Sequence, residues 1–165
     1  MTSKKDTIMF VVNGKPIGKG RPRFTNRGGY VRAYTPRETT DYEKKIAQAY
    51  KDRYGDRITD KPVRLVVTAV FPIPKAFRKK EKEDALNGKI VPTKKPDIDN
   101  ILKTVMDGLN GVAYEDDAQV VLLHGRKKYT DYIDIAVAEE NPEQYDIENG
   151  YIVISLEDAI IKRGQ

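Results

Sequence analysis

The chain has 165 residues, enough for one domain with a sizeable core and too few for a second catalytic domain. Lys and Arg outnumber Asp and Glu by 30 to 25, a formal charge of +5 that favours an anionic partner but does not separate DNA from RNA, anionic lipid or plain basic solubility. There is no cysteine, which excludes disulfides, thiolate metal sites, iron–sulfur clusters and cysteine nucleophiles.

Residues 1–6 are polar and lack the apolar stretch of a secretory leader. No run approaches the roughly 18 apolar residues of a membrane span, so a soluble cytoplasmic protein is expected. Ile8–Asn13 reads as a short strand closed by Asn13-Gly14. Residues 15–34 are rich in Gly, Pro, Lys and Arg and are predicted to form a loop or irregular hairpin. Tyr42, Ile46, Ala49 and Tyr50 fall on one stripe, which predicts a helix over Arg37–Tyr54 with Gly55 as its stop. Val63–Phe71 reads as a buried strand ended by Pro72 and Pro74.

Residues 78–89, within a charged insertion at about 77–90, are either an exposed helix or a mobile segment, and mobility is expected. The clearest helix covers 97–110, where Ile98, Ile101, Leu102, Val105, Met106 and Leu109 form one buried stripe. Residues 119–124 and 132–138 are predicted as strands joined across the basic turn 126–128. Residues 151–156 form a last strand or lead into a terminal helix, and 139–165 is expected to be a peripheral tail. The order of elements predicts a single α+β domain, a mixed β-sheet packed against helices.

Asp97 and Asp99 begin the clearest helix, outside its apolar stripe. A helix N-terminus attracts carboxylates on its own account, so a cap at Asp97 and ordinary first-turn charge at Asp99 is one reading. The other is a cation site. Asp99, Lys103 and Asp107 share a helix face, and Glu115, Asp116 and Asp117 stand just before an apolar strand. If that strand entrance converged on the helix start, three or four carboxylates would repel one another without a cation between them. Oxygen-rich donors suit Mg²⁺, with Lys103 as an adjacent cation for a phosphoryl transition state.

Between residues 15 and 34 stand Lys15, Lys19, Arg21, Arg23, Arg27 and Arg32 with no acidic residue, interleaved with Phe24, Tyr30 and Tyr34. Guanidinium forks suit phosphates and aromatic faces suit unpaired bases. A solvated basic loop is the bland alternative. The spacing is not that of a Walker A loop. Lys94 and Lys95 add positive charge directly before Asp97. His124, between apolar strand residues, reads as an ordinary surface or hydrogen-bonded histidine, and Met106 reads as core.

Lys95-Pro96-Asp97-Ile98-Asp99-Asn100-Ile101-Leu102-Lys103, then Met106-Asp107-Gly108-Leu109-Asn110 and Asp116-Asp117-Ala118-Gln119-Val120, closely resembles the signature of the RusA-like Holliday junction resolvases. Gly20-Arg21-Pro22-Arg23-Phe24 and Tyr34-Thr35-Pro36 resemble the longer branch of that family. The resemblance implies a RusA-like fold and a homodimeric endodeoxyribonuclease, common in phages and prophages, that makes paired nicks at four-way junctions and other branched DNA. It implies Mg²⁺, with Mn²⁺ as a substitute, and 5′-phosphate ends. It further implies that Asp97, Asp99 and Asp117 hold metal, that Lys103 is catalytic, and that Asp116 assists Asp117 or serves the structure. A non-catalytic junction-binding module and a general metal-dependent nuclease are the competing readings.

Overall fold

The computed structural model describes residues 7–159. The elements run β1 (Ile8–Asn13), β2 (Arg23–Arg27), β3 (Tyr30–Tyr34), α1 (Arg37–Tyr54), β4 (Val63–Phe71), α2 (Lys79–Leu86), α3 (Ile98–Leu109), β5 (Val120–Tyr129), α4 (Tyr132–Glu140) and β6 (Tyr151–Asp158). Four strands form one sheet in the order β1-β6-β4-β5. The β1–β6 and β6–β4 pairs are antiparallel and the β4–β5 pair is parallel, so the expected mixed sheet is present. Parallel neighbours need a long crossover, and here it carries α2 and α3.

The core lies between the sheet and the pair α1 and α3. Ile46 and Tyr50 of α1 and Ile101, Val105 and Leu109 of α3 pack with Phe10, Leu65, Val67 and Ile154 of the strands, all essentially without solvent exposure. Each such side chain contributes about 1.5–3 kcal/mol by leaving water. Gly108 explains how closely the helices approach: a Cβ there would stand 3.0 Å from the Glu43 carbonyl oxygen and 3.1 Å from Ile46 Cβ.

Five expectations change. Residues 15–34 hold a regular hairpin, β2 with β3, turned by Gly28 and Gly29 at φ +65° and +84°. Two successive positive φ values define a type I′ turn, whose twist matches the strands it joins. Residues 79–86 form helix α2, fixed by burial of Ala85 and by the Glu81 carboxylate accepting from the Arg78 backbone N–H at 3.1 Å.

The basic turn predicted at 126–128 is instead strand: β5 continues to Tyr129 because its backbone stays paired with β4 as far as Phe71. Residues 132–140 are a helix rather than a strand. The Asp131 carboxylate accepts from the Asp134 N–H at 2.9 Å, the Asp134 carboxylate accepts from the Asp131 N–H at 3.2 Å, and Lys128 Nζ lies 2.9 Å from both carboxylates. This reciprocal cap starts α4. Finally, the described part of 139–165 is not peripheral. β6 lies between β1 and β4 with Ile152, Ile154 and Leu156 buried.

No helix among the described residues is long and apolar enough to cross a membrane.

Candidate active site

The start of α3 presents Asp97 and Asp99 outward because Ile101 and Val105 occupy its buried face. Asp97 holds the N-cap position with extended backbone, yet its side chain makes no capping hydrogen bond. Its carboxylate instead accepts from Lys95 Nζ at 2.7 Å. That hydrogen bond, together with the charges of Lys95 and Lys127, holds the Asp97 carboxyl below the ordinary 3.8. Asp99 and Lys103 are exposed and have no hydrogen-bond or ion-pair partner among the described residues. A carboxylate and an ammonium free on one helical face are available to ligands rather than engaged in the fold.

Lys127 belongs to this end of the helix, although the sequence offers no more than a basic run at 126–128. Its Nζ donates to the Lys94 carbonyl at 2.5 Å and lies 5.6 Å from the centre of the Phe71 ring. It thereby ties β5 to the segment leading into Asp97. Lys94 and Lys95 are exposed there. Four cations, Lys94, Lys95, Lys103 and Lys127, thus come from the approach to α3, from α3 itself and from β5.

The other end of α3 is acidic. The Asp117 N–H donates to Asn110 Oδ1 at 3.1 Å, which fixes Asp117 against the helix C-cap. Asp116 caps the 3-10 turn Asp117–Gln119: its carboxylate accepts from the Ala118 N–H at 2.9 Å, while its own N–H donates to Gln119 Oε1 at 2.9 Å. Gln119 Nε2 donates in turn to the carbonyls of Thr59 and Lys61, both at 3.0 Å. The neighbouring Asp116 carboxyl, and then the charge of Asp107, push the Asp117 carboxyl above 3.8, while Asp116, accepting from the Ala118 N–H, lies below it.

Asp97 and Asp99 therefore stand at one end and Asp117 at the other end of a helix of 12 residues, about 18 Å long. Among the described residues no group of three or more His, Asp or Glu side chains is gathered to hold a metal. The expected convergence of helix start and strand entrance does not occur within one chain. The physical reason is the direction of α3 relative to β5. The Leu102 side chain lies where a Cβ on Gly125 would be, Lys127 faces Asp97, and Val120 follows directly from the turn against Asn110. Helix and strand run antiparallel, so the entrance to β5 stays with the helix C-terminus.

The basic arm divides too. Lys19, expected on a DNA footprint, is an internal ion pair: its Nζ lies 2.5 Å from Asp107 Oδ2 and 3.1 Å from Glu43 Oε1. Burial pulls its pKa down, but the hydrogen bonds and charges of Asp107 and Glu43 outweigh this and raise it above 10.5. The Lys19 N–H also donates to the Asn100 carbonyl at 2.9 Å, and Gly18 packs on Pro96 and Asn100. The root of the arm is thus fastened along α3. Lys15, Arg21, Arg23, Arg27 and Arg32 remain exposed without partners among the described residues. His124 is exposed on β5.

Residues 13–138 match the family model described as Endodeoxyribonuclease RusA, a span that holds the arm, all of α3 and the acidic turn. The chain is also similar to the uncharacterized protein YqaN of Bacillus subtilis (strain 168), 38% identical over 128 residues that cover 76% of this chain and 90% of the relative. A chain whose family match takes in both ends of α3 and the arm fastened along it belongs to the RusA endodeoxyribonuclease family.

Proposed function

We propose that this chain is a Mg²⁺-dependent endonuclease that resolves four-way junctions and other branched DNA by paired nicks leaving 5′-phosphate ends. The observation that carries the reading is the start of α3: Asp99 and Lys103 exposed and unpaired, Asp97 beside them, and Lys94, Lys95 and Lys127 around them. A site that only bound phosphate would gain nothing from carboxylates placed among its cations. The donor set fits a hard cation, since Asp97 and Asp99 are accessible oxygen ligands and Mg²⁺ is commonly held by one or two carboxylates plus substrate phosphate. Mn²⁺ would fit the same donors. When bound, the ion would polarise the scissile phosphate and make a coordinated water more acidic.

The side chains do the rest. Lys94 and Lys95 draw the DNA backbone to the start of α3. Lys95 exchanges Asp97 for phosphate as the strand arrives. Lys103, one turn beyond Asp99, compensates charge developing on the phosphoryl oxygens.

The division of carboxylates supports a homodimer. β5 is an edge strand of the sheet, and its Val121, Leu122 and Leu123 are 56%, 49% and 44% exposed. An apolar unpaired edge of this kind invites pairing with another strand. If two β5 edges pair antiparallel about a two-fold axis, the start of one strand lies beside the end of the other. The Asp117 of one copy, just before β5, is then carried toward the Asp97 and Lys127 of its mate. Two sites result, as paired nicking requires. An isolated monomer would bind branched DNA without cutting it, so the non-catalytic reading describes the dissociated state. Phage or prophage DNA in the bacterial cytoplasm is the setting consistent with the family.

The test is a labelled four-way junction, a matched linear duplex and a fork analogue, each with Mg²⁺ or EDTA. Symmetric nicks on the branched substrates in Mg²⁺ alone are expected. Equal cutting of all three would reduce the protein to a general nuclease, and tight binding with no metal-dependent cutting would sink the enzymatic reading.

A further inference from the structure

The β2–β3 hairpin has two chemically different faces, and neither is covered. Directly opposed residues of an antiparallel pair share a face, and successive residues alternate. The register opposes Arg23 to Tyr34, Thr25 to Arg32 and Arg27 to Tyr30, so three arginines and two tyrosines occupy one face. Phe24 opposes Ala33 and Asn26 opposes Val31, which makes the other face uncharged and largely apolar. Every residue of both strands is exposed, with Phe24 at 69% and Val31 at 66%. A ribbon that needed only phosphate contacts would have no reason to hold Phe24 and Val31 in water.

We propose that this ribbon is the branch-point probe, lodged between two arms of the DNA with its Arg/Tyr face on the phosphates of one arm and its Phe24/Val31 face against the end base pair of the next. A linear duplex offers one surface to a thin ribbon, and that surface is anionic; it satisfies the arginine face and leaves the apolar face wet. A branch point offers a second surface, the uncharged face of a terminal base pair, against which an aromatic or aliphatic wedge stacks. Charge complementarity thus assigns one face to the backbone, and the absence of charge on the opposite face assigns it to exposed bases. The ribbon is rooted where it can couple branch to cut. The Gly20 N–H donates to Thr39 Oγ1 at 3.0 Å and Lys19 is pinned to Asp107 of α3, so the ribbon leaves the body beside the helix that carries Asp97 and Asp99.

This deepens the branched-DNA nuclease reading and rests on it. The experiment uses the full chain and a four-way junction with 2-aminopurine at the crossover, alongside a linear duplex of the same sequence. The double variant Phe24→Thr/Val31→Thr keeps strand propensity while removing the apolar face. It is expected to lose roughly tenfold of the junction-over-duplex preference, the size of one lost base-stacking contact, together with the 2-aminopurine fluorescence rise. Its duplex affinity and thermal midpoint are expected to stay, because neither residue packs in the core. Phe24→Tyr, which retains the ring, is expected to keep the preference. Arg23→Gln/Arg32→Gln should instead weaken binding to both substrates and flatten its salt dependence.

Unchanged junction preference and fluorescence in the threonine variant would overturn the proposal, as would a shift to monomer, which would make the apolar face a protein contact. Either result, obtained while the parent protein still nicks junctions in Mg²⁺, sinks the ribbon assignment alone. A parent that neither prefers nor nicks junctions sinks the nuclease reading as well.

Discussion

The two ends of α3 handle the same residue type in opposite ways. At the N-terminal end Asp97 is held by Lys95 and lies near Lys127, so its carboxylate is stabilised as an anion. At the C-terminal end Asp117 stands beside Asp116 and near Asp107, and its carboxyl is pushed toward the protonated form. The first end sets cations beside its carboxylate. The second is mainly acidic: Asp107 shares Lys19 with Glu43, and Asp117 stands beside Asp116. The difference teaches that carboxylates close in sequence can be set at opposite ends of one helix, in opposite electrostatic surroundings.

The comparison breaks most sharply at Asp99. Asp99→Asn is expected to lower Mg²⁺-dependent nicking about a thousandfold or more, the several kcal/mol that a metal-held charge supplies to a phosphoryl transition state. Junction affinity by gel shift should persist, and nicking at the parental rate would remove Asp99 from the site.

Next comes a mixing experiment. Asp99→Asn and Asp117→Asn chains, each inactive alone, are expected to regain nicking when refolded together, because one of the two shared sites in the mixed dimer is then intact. No recovery, with mixed dimers verified by mass, would mean that each chain builds its own site. The edge can be probed directly: Leu122→Lys should yield monomers by sedimentation and lose nicking together with dimerisation.

A smaller effect is expected at the C-cap. Asn110→Ala removes the acceptor for the Asp117 N–H and should cost about 1 kcal/mol in a denaturant melt. It should also slow nicking, while leaving DNA affinity at the other end of the helix untouched.

The smallest effect concerns the clamp that ends β5. Burial lowers the Lys128 pKa, but hydrogen bonds to Asp134 and Asp131 and their charges raise it, for a net value above 10.5. Asp131 is raised by burial but brought below 3.8 overall by the Asp134 N–H and by Lys128. A raised lysine contributes stability below its unfolded pKa and loses it as pH rises through the folded value. A depressed aspartate contributes above its unfolded pKa and loses it as pH falls through the folded value. The clamp should therefore stabilise α4 across the whole range from about pH 4 to 10, and fade beyond either limit. Lys128→Met should lower the melting midpoint within that plateau by the equivalent of about 0.5 kcal/mol, read by calorimetry against pH.

Elements with a strong local pattern were legible before the fold was known. β1, α1 and β4 keep the expected boundaries and α3 differs only at its caps, because an apolar stripe at one period admits one conformation. Helix α4 was not legible, since Ile133, Ile135 and Val137 alternate as they would in a strand. The reciprocal cap of Asp131 and Asp134, held by Lys128, overrides that alternation. Lys19 looked like one cation among many in a basic arm. Its partners stand 24 and 88 residues away, and no local pattern announces a pairing at such separations. Nor could the sequence reveal that β6 is an interior strand, because strand order depends on which edges remain free after the earlier strands pair.

The sequence by itself determined the chemistry of this protein: two aspartates before a helix, an acidic pair before a strand, a lysine one turn along, and an arm rich in arginine. Those are matters of residue type and short spacing, and all of them lie within the family match. The tertiary structure decided where the pieces go. Because α3 and β5 pack antiparallel, Asp97 and Asp117 face apart within one chain, and because β5 ends the sheet, the edge that could bring a second chain's Asp117 to Asp97 is left open. Distance across a fold is set by packing direction, which no window of sequence contains.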